Sequence, residues 1–448
     1  MTHDFQALSN RVLRAAANAG ADASDVLLVD GTNTSIEVRA GALEHAERSE
    51  GLDIGLRVFK GKRQAIVSVS DSSDHTITQM AERAVAMASQ APEDPYCGLP
   101  DADQIARSWD VSQLDLADST ANRTPKQMQE TALIAEATAL AVSGVTKVQA
   151  ASSGYSDTRI HLAASNGFHG GYQRTSFSTT CVAIAGEGSQ MERDYCGEGR
   201  TYFTDLPSPE EIGQLAGERA IAKFGASKPH TGHYPVLFDE RVSSTLIGHL
   251  LAAINGASII RGSSWLKDAL GEQVLPTEID LIENPHRPRV SGSKPFDGEG
   301  MPVAMRTVVQ NGTLTGWTLD LTTAKQLGMK STGNASRGVG SAPSPASGNI
   351  TLTGGTKTRD QLIAQMGTGL LVTGLIGSTI SPTTGDYSRG ANGFWVENGE
   401  IIRPVNECTI AGNLHTMLKG LVAANDGRTH LSRVIPSLLL ESMTIAGT

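Results

Sequence analysis

Residues 51–69 read GLDIGLRVFKGKRQAIVSV, and this stretch decides the fold of the first half of the chain. Its apolar residues occupy every second position on both sides of a Lys-Gly-Lys turn at 60–62. The alternating residues are Ile54, Leu56, Val58, Ala65, Val67 and Val69. Alternation with a period of two is typical of strands that bury one face, and a short turn containing glycine joins neighbouring strands. The stretch therefore predicts a β-hairpin.

Helical and strand-like segments lie on both sides of this hairpin. The spacing of apolar residues predicts three helices, over Asp4–Ala17, His75–Gln90 and Pro125–Val142. Alternation and short apolar runs predict further strands at 25–29, 35–48, 158–162 and 175–185. Together they predict an α+β domain in which N-terminal helices pack on a mostly antiparallel sheet.

A second domain is predicted to begin after a fourth helix. Ser208-Pro209-Glu210-Glu211 combines a serine N-cap, a proline in the first turn and a capping-box glutamate, so it predicts a helix that ends near Gly225. The turn-rich segment 226–232 follows. We therefore expect an N-terminal α+β domain at 1–225 and a strand-rich C-terminal domain at 226–448.

The second half opens with two predicted elements, a strand at Tyr234–Phe238 and a helix at Glu240–Ile254. Strands and glycine-rich turns dominate from there to the end. The segment Ser331–Ser347 is a long run of small residues, and we expect it to be mobile or covered by a partner chain.

Composition and charge exclude several classes of function. The 448 residues carry 37 Lys and Arg against 47 Asp and Glu, a net charge of −10, which disfavours nucleic acid as the main partner. The sequence contains no run of 18 apolar residues, which a membrane-spanning helix would need, and the N-terminus lacks a signal-peptide pattern. The four cysteines form no C-x-x-C motif. We expect reduced thiols and a cytoplasmic protein.

Few residues suggest catalysis on their own. His249 lies within the predicted helix at 240–254, but one histidine cannot hold zinc without further protein ligands. Asp297 and Glu299 share a turn and could bind a cation or share a proton, although a solvated turn is the commoner case. Asp386 and Arg389 flank Ser388, and they either line a cavity or form a structural ion pair.

Longer motifs resemble the PmbA/TldE branch of the TldD/PmbA proteins. The match is loose in the first half, where GLDIGLRV at 51–58 is similar to the family's N-terminal hairpin. It covers nearly all of the second half in the expected order. The matching stretches there are GEQ at 271–273, PFDGEG at 295–300, AKQLGMKSTGNA at 324–335, MGTGLLVT at 366–373, TGDYSRG at 384–390, GFWVENGE at 393–400, TIAGNL at 409–414 and MTIAG at 443–447.

This resemblance implies a two-subunit cytosolic peptidase in which only the TldD-type subunit holds zinc. That subunit carries H-E-x-x-x-H on a helix, and a cysteine further along completes the metal site. In this chain Ser244 and Thr245 stand at the first His and the Glu positions, and His249 remains at the second. The segment that would supply the cysteine reads Gly385-Asp386-Tyr387. The resemblance thus implies no cofactor in this chain and zinc in its partner.

The expected function is that of a non-catalytic TldE/PmbA-type subunit of a TldD/TldE zinc metallopeptidase. Such a complex trims or degrades unstructured peptides, including modified peptide precursors and antitoxins. The implied partners are a TldD-type subunit, an extended peptide, and a second copy when the chain is alone. Two alternatives stay open at this point. One is a self-sufficient homodimeric peptidase whose site combines His249, Asp297, Glu299, Asp386 and Ser388. The other is a regulatory protein-binding module, since family members have been named modulators of gyrase.

Overall fold

The computed structural model describes residues 4–448, apart from the side chain of Ser189. Within these residues nine α-helices alternate with strands along the chain. The helices are α1 (Phe5–Asn18), α2 (Asp74–Gln90), α3 (Pro125–Ala141), α4 (Pro209–Ala222), α5 (Glu240–Ala253), α6 (Gly256–Ile260), α7 (Leu321–Leu327), α8 (Arg359–Met366) and α9 (Leu414–Lys419).

The strands of the described residues form three larger sheets and one short hairpin. They are β1 (Ala23–Arg39), β2 (Ala42–Lys60), β3 (Arg63–Val69), β4 (Val145–Ala164), β5 (His169–Ala185), β6 (Glu192–Arg200), β7 (Gly232–Phe238), β8 (Leu281–Glu283), β9 (Arg306–Gln310), β10 (Thr313–Leu314), β11 (Ala335–Ser336), β12 (Ser344–Pro345), β13 (Ile350–Leu352), β14 (Gly369–Ile380), β15 (Asp386–Glu397), β16 (Glu400–Asn413), β17 (Val422–Ala423), β18 (Arg433–Val434) and β19 (Leu438–Ala446).

The predicted hairpin is the edge of a six-stranded sheet with the order β3-β2-β1-β4-β5-β6. Every neighbouring pair in this sheet is antiparallel. Ile54, Leu56 and Val58 of β2 are fully buried against α1 and α2. A second core lies between the other end of the sheet and the helices α3 and α4. The α+β prediction for this half is confirmed.

Local sequence signals placed the helices within a few residues. Asp4 caps α1 by accepting a hydrogen bond from the Ala7 N–H at 3.0 Å. Ser208 and Glu211 form the predicted capping box of α4, with Pro209 in its first turn. These caps satisfy backbone N–H groups that have no partner inside the helix, which is why the helices begin there.

The second half is built on a ring of strands. The sheet order β16-β15-β14-β7-β19-β17 is supplemented by pairing between β16 and β19, so five strands close on themselves. A five-stranded sheet, β10-β9-β8-β13-β18, lies beside it. α5 buries Leu246, Ile247 and Leu250 in the large core shared by these sheets. The strand-rich prediction for this half is confirmed, whereas the boundary at 225 stays a prediction.

The segment Ser331–Ser347 is anchored to the first sheet at Arg337 and Val339, which argues against a freely mobile loop, and its cover by a partner chain stays a prediction. It contains the short hairpin β11–β12, and Arg337 in its turn is buried against Asp25 of β1 at 2.5 Å. The backbone of Val339 lies directly on Gly55 of β2. The segment therefore joins the second half of the chain to the first sheet.

None of the helices within residues 4–448 is both long and apolar enough to span a bilayer.

Candidate functional site

The helix α5 carries the three positions at which the resemblance places zinc chemistry. Its N-terminus is capped by Asp239, whose carboxylate accepts a hydrogen bond from the Arg241 N–H at 3.2 Å. The face opposite its core residues presents Ser244, Thr245 and His249, all partly exposed. Thr245 and His249 are neighbours on this surface, because residues four apart lie one above the other on a helix, and Ser244 precedes Thr245 at its edge.

His249 contacts an aromatic ring instead of a metal-ligand partner. Its imidazole meets the Tyr387 ring of β15 edge to face, with ring centroids 5.9 Å apart. The Nε2 atom is buried and has no hydrogen-bond partner among the described residues. Burial lowers the pKa of His249, and the charge of Arg389 lowers it further. The imidazole is therefore neutral near pH 7.

The residues around His249 do not fit a zinc ion. The Thr245 hydroxyl donates a hydrogen bond to the Val242 carbonyl at 2.7 Å, as a helix residue does, and a threonine cannot act as a carboxylate base. Within residues 4–448 no three His, Cys, Asp or Glu side chains are grouped so that they could hold a metal. Zinc sites need three or four such ligands.

Cys408 is not a substitute for the missing thiolate. Its Sγ donates a hydrogen bond to the Ala391 carbonyl at 3.3 Å inside the core. Burial raises the pKa of this thiol to about 11. Metal binding and nucleophilic attack both need the thiolate, so Cys408 is a structural side chain.

Asp386 and Arg389 are separated by strand geometry. Asp386 accepts hydrogen bonds from the Thr384 hydroxyl at 2.6 Å and from Asn413 at 3.0 Å. The Nε of Arg389 donates to the Gly377 carbonyl at 2.7 Å. Residues three apart on a strand point to opposite faces, and no ion pair joins these two in the described residues. The ion-pair alternative is wrong.

The same alternation separates the residues of the hypothetical self-sufficient site. Tyr387 is turned toward His249, so Asp386 and Ser388, its neighbours on β15, point to the other face. Asp297 and Glu299 share no hydrogen-bond partner with His249 among the described residues. The structure therefore does not assemble the five side chains of that hypothesis.

Asp297 and Glu299 are buried, so the preference for a solvated turn is wrong. Their exposed fractions are only 2% and 3%. Asp297 accepts hydrogen bonds from the backbone N–H groups of Glu299 and Met301, both at 2.9 Å, and of Ala335 at 3.1 Å. Glu299 accepts one from the Leu321 N–H at 2.9 Å. These carboxylates fix the turn of the PFDGEG segment and hold β11 beside it.

The pKa values of both carboxylates are raised. Burial and, after it, the charge of the neighbouring Asp297 raise the pKa of Glu299 to about 8, against the opposing charge of Arg57. Asp297 accepts hydrogen bonds from three backbone N–H groups, and Lys294 is the cation whose charge affects its pKa most. Burial raises the pKa of Asp297 as well, and the charge of Lys294 and these backbone donors oppose that rise.

Replacing Glu299 with glutamine should flatten the pH dependence of stability. Folded Glu299 holds a proton up to about pH 8, whereas the unfolded chain releases it above about pH 4.5. Stability therefore falls as pH rises between these values, by at most about 1.4 kcal/mol per pH unit, and Glu299→Gln removes that slope. Urea unfolding at pH 5.5 and pH 8 measures it. The exposed Glu400→Gln should leave the difference between the two pH values unchanged, and an unaltered slope in Glu299→Gln would contradict the assignment.

Sequence reasoning missed the charged cluster nearest to this turn. Asp25 binds Arg57 through Nε at 2.9 Å and Arg337 through Nη1 at 2.5 Å, and each of the three side chains is at most 2% exposed. The only signal was Arg57 within the mostly apolar run at 54–59 of β2. Its inward direction depends on the anchored segment 331–347, which covers that face of the sheet.

Sequence profiles of three family domains match almost the whole chain. The PmbA/TldA metallopeptidase domain 1 matches residues 24–88, the central domain 114–224 and the C-terminal domain 231–447. The chain belongs to the PmbA/TldA metallopeptidase family. The profiles divide the part before residue 225 in two, although both pieces contribute strands to one sheet.

Relatives that are named PmbA match this chain over nearly its full length. The Metalloprotease PmbA of Escherichia coli O157:H7 is 36% identical over 434 residues, 96% of this chain and 94% of that protein. The Metalloprotease PmbA homolog of Haemophilus influenzae is also 36% identical over 434 residues. A Metalloprotease TldD homolog of Buchnera aphidicola is 25% identical over 250 residues, 51% of each chain. The PmbA relative of Escherichia coli thus matches a larger share of this chain than the TldD homolog does.

Solved structures share the complete architecture. A protein of Bacteroides thetaiotaomicron, described as a candidate modulator of DNA gyrase, superposes with a TM-score of 0.92 at 27% identity and covers 100% of both chains. TldE of Thermococcus kodakarensis superposes with a TM-score of 0.85 at 20% identity, covering 98% of this chain and 100% of that one. At that identity the second likeness shows the fold alone.

Proposed function

We propose that this PmbA-family chain is a non-catalytic TldE/PmbA-type subunit of a cytosolic TldD/TldE zinc metallopeptidase. The complex trims or degrades unstructured peptides, such as modified peptide precursors or antitoxins. The observation that carries the proposal is the surface of α5, which presents Ser244, Thr245 and His249, while the described part of the chain groups no three side chains that could hold a metal.

The chemistry of zinc hydrolysis supports this role. A catalytic zinc needs three protein ligands, an open position for water, and a base that receives the proton of that water. One neutral imidazole and a helix-bonded threonine supply neither the ligand set nor the base. In this proposal the chain binds no zinc itself, and the metal belongs to the TldD-type partner.

We expect the partner to supply the zinc ligands and the base that α5 of this chain does not carry. A TldD-type subunit would contribute the zinc site, while this chain contributes walls of the peptide cavity and, when alone, pairs with a second copy. Its similarity to a TldD homolog over half of each chain supports a common ancestry for the two subunits. Extended peptides pair with exposed strand edges through their backbone, which suits a protease that acts on many unstructured sequences.

Cleavage by three samples tests the proposal. The chain alone, the TldD-type subunit of the same organism alone, and the two together would be given an unstructured peptide, with products followed by mass spectrometry. We expect no cleavage by this chain and at least about tenfold faster cleavage by the pair than by the TldD-type subunit alone. Equal rates for the pair and that subunit alone would contradict the accessory role.

The variant His249→Leu tests whether His249 takes part in peptide cleavage. Leucine removes a buried Nε2 that has no partner, so the free energy of unfolding should stay unchanged or rise by about 1 kcal/mol. Peptidase activity of the pair containing this variant should stay within about threefold of the wild-type pair. A hundredfold loss of activity in a folded His249→Leu pair would show that His249 takes part in the reaction.

A further inference from the structure

A cavity of about 330 Å³ lies where the first sheet meets two segments of the second half. Strands β5 and β6 contribute Arg174 and Arg200, and the second half contributes Arg289 and His430. Threonine and serine hydroxyls fill the rest of the polar wall. Its lining, drawn from the described residues, contains no Asp or Glu.

Each of the three guanidinium groups keeps a nitrogen without a hydrogen bond to a described residue. Arg174 donates through Nη1 and Nη2 to the carbonyls of Ser291 and Ser293 at 2.9 and 2.7 Å, and its Nε has no partner. Arg200 uses only Nη1, toward Glu198 and Gly199. Arg289 uses Nε and Nη1. Five bonds are possible per guanidinium, so Arg200 and Arg289 keep free donors, whereas the unpartnered Nε of Arg174 is itself buried.

Nearby acids orient these arginines without lining the cavity. Glu198 pairs with Arg200 at 2.7 Å. Asp115 and Asp205 pair with Arg289 at 2.6 and 3.1 Å. Arg174 pairs with no carboxylate in the described residues, and its guanidinium lies 5.5 Å from the Tyr172 ring centroid. The cavity thus has one cation without a counter-ion, Arg174, and two cations that are held in place by carboxylates outside the lining.

We propose that this cavity binds an oxyanion, either a carboxylate or a phosphate group. Planar guanidinium groups with free N–H donors match the oxygens of both anions, and preset positions reduce the entropy lost on binding. The volume is at the lower end of the range of ligand sites, enough for an anionic group and a short attached chain. A bound anion would bridge the first sheet and the second half. This assignment goes beyond the proposed subunit role and does not depend on it.

Ser176 offers a matched pair of variants. It lies at the cavity wall on β5, is exposed, and makes no side-chain hydrogen bond to a described residue. Ser176→Glu places a carboxylate beside the three arginines, where it competes with any anion. Ser176→Gln has nearly the same size and no charge. Neither change disturbs the core, and matching thermal melts of the two variants would verify that both fold.

Calorimetric titration of the purified chain at low salt tests the proposal. The probes are inorganic phosphate, N-acetyl-dialanine with a free carboxylate, and the same peptide as its amide. We expect saturable one-site binding of phosphate or of the free carboxylate, no binding of the amide, and weaker binding as salt rises. The tighter of the two anions identifies the source of the oxyanion.

The variants decide whether binding occurs in this cavity. Ser176→Glu should weaken anion binding by about tenfold or more through repulsion and competition, and Ser176→Gln by less than about threefold. The proposal is overturned if the wild-type chain binds neither anion saturably. It is also overturned if Ser176→Glu binds as the wild type does, or if both variants lose binding equally.

Discussion

Replacing Asp25 with alanine should lower the free energy of unfolding by about 3–5 kcal/mol, because it leaves two arginines buried without their shared carboxylate. Arg57 and Arg337 are 2% and 1% exposed at their side chains, so water cannot take over the role of Asp25. Arg337 also belongs to the anchored segment 331–347. Its loss of a partner should release that segment from the first sheet.

The pH dependence of the same variant has a defined sign. Burial would raise the pKa of Asp25, but the charges of Arg337 and Arg57 outweigh it and hold the pKa below its usual value. The ion cluster therefore contributes its full stability above about pH 4, where the unfolded carboxyl is ionised, and loses it as pH falls further. The gap between wild type and Asp25→Ala should shrink in acid.

Urea unfolding of Asp25→Ala and a control measures the effect. Glu50→Ala removes a carboxylate from Arg48 on the same sheet, but those two side chains are 57% and 58% exposed. Exposed pairs contribute about 0–1 kcal/mol, so this control should change little. If the two variants lost similar stability, the ion cluster would not be the anchor described here.

Gly55→Ala should cost about 3 kcal/mol, the upper end for inserting one carbon into a packed contact. A Cβ at this position would lie 2.0 Å from the Val339 carbonyl oxygen and 2.7 Å from its carbonyl carbon. Both are backbone atoms, which cannot rotate away as a side chain can. The strand β2 and segment 331–347 would have to separate.

Gly51→Ala is the matched control on the same strand. Nothing lies within 4 Å of the Cβ it would add, and its backbone conformation suits any residue. Its free energy of unfolding should stay within about 0.5 kcal/mol of the wild type. Limited proteolysis of both variants would locate the change. Cleavage within 331–347 should appear in Gly55→Ala only, and equal protection of both chains would contradict the close backbone contact.

Short-range signals predicted the elements, and they could do so because their causes are local. The alternation of 51–69 and the capping boxes act within a few residues, so the hairpin and the helix starts were found from sequence. The contact of Asp25 with Arg337 spans 312 positions, and no local pattern encodes it. For that reason segment 331–347 was predicted as a mobile or partner-covered loop, although the backbone of Val339 lies directly on Gly55 of β2.

The burial of the candidate site residues also depends on contacts that local sequence does not encode. An Asp-Gly-Glu turn has the same sequence whether it is solvated or buried, and only the packing of Phe296 beside Trp109 and Phe168 buries it. His249 was singled out through resemblance, since a lone helix histidine carries no chemistry by itself. The alternation of β15 could have shown from sequence that Asp386 and Arg389 face apart, because the period of two was available.

In the proposed role this chain lacks the zinc chemistry of its family, so the zinc content of the purified chain is the decisive measurement. Metal analysis after incubation with zinc and removal of the excess would be combined with a peptide cleavage assay on the same sample. We expect less than about 0.1 zinc per chain and no cleavage. One zinc per chain with cleavage that a chelator abolishes would contradict it, and ligands other than Ser244, Thr245 and His249 would then have to hold the metal.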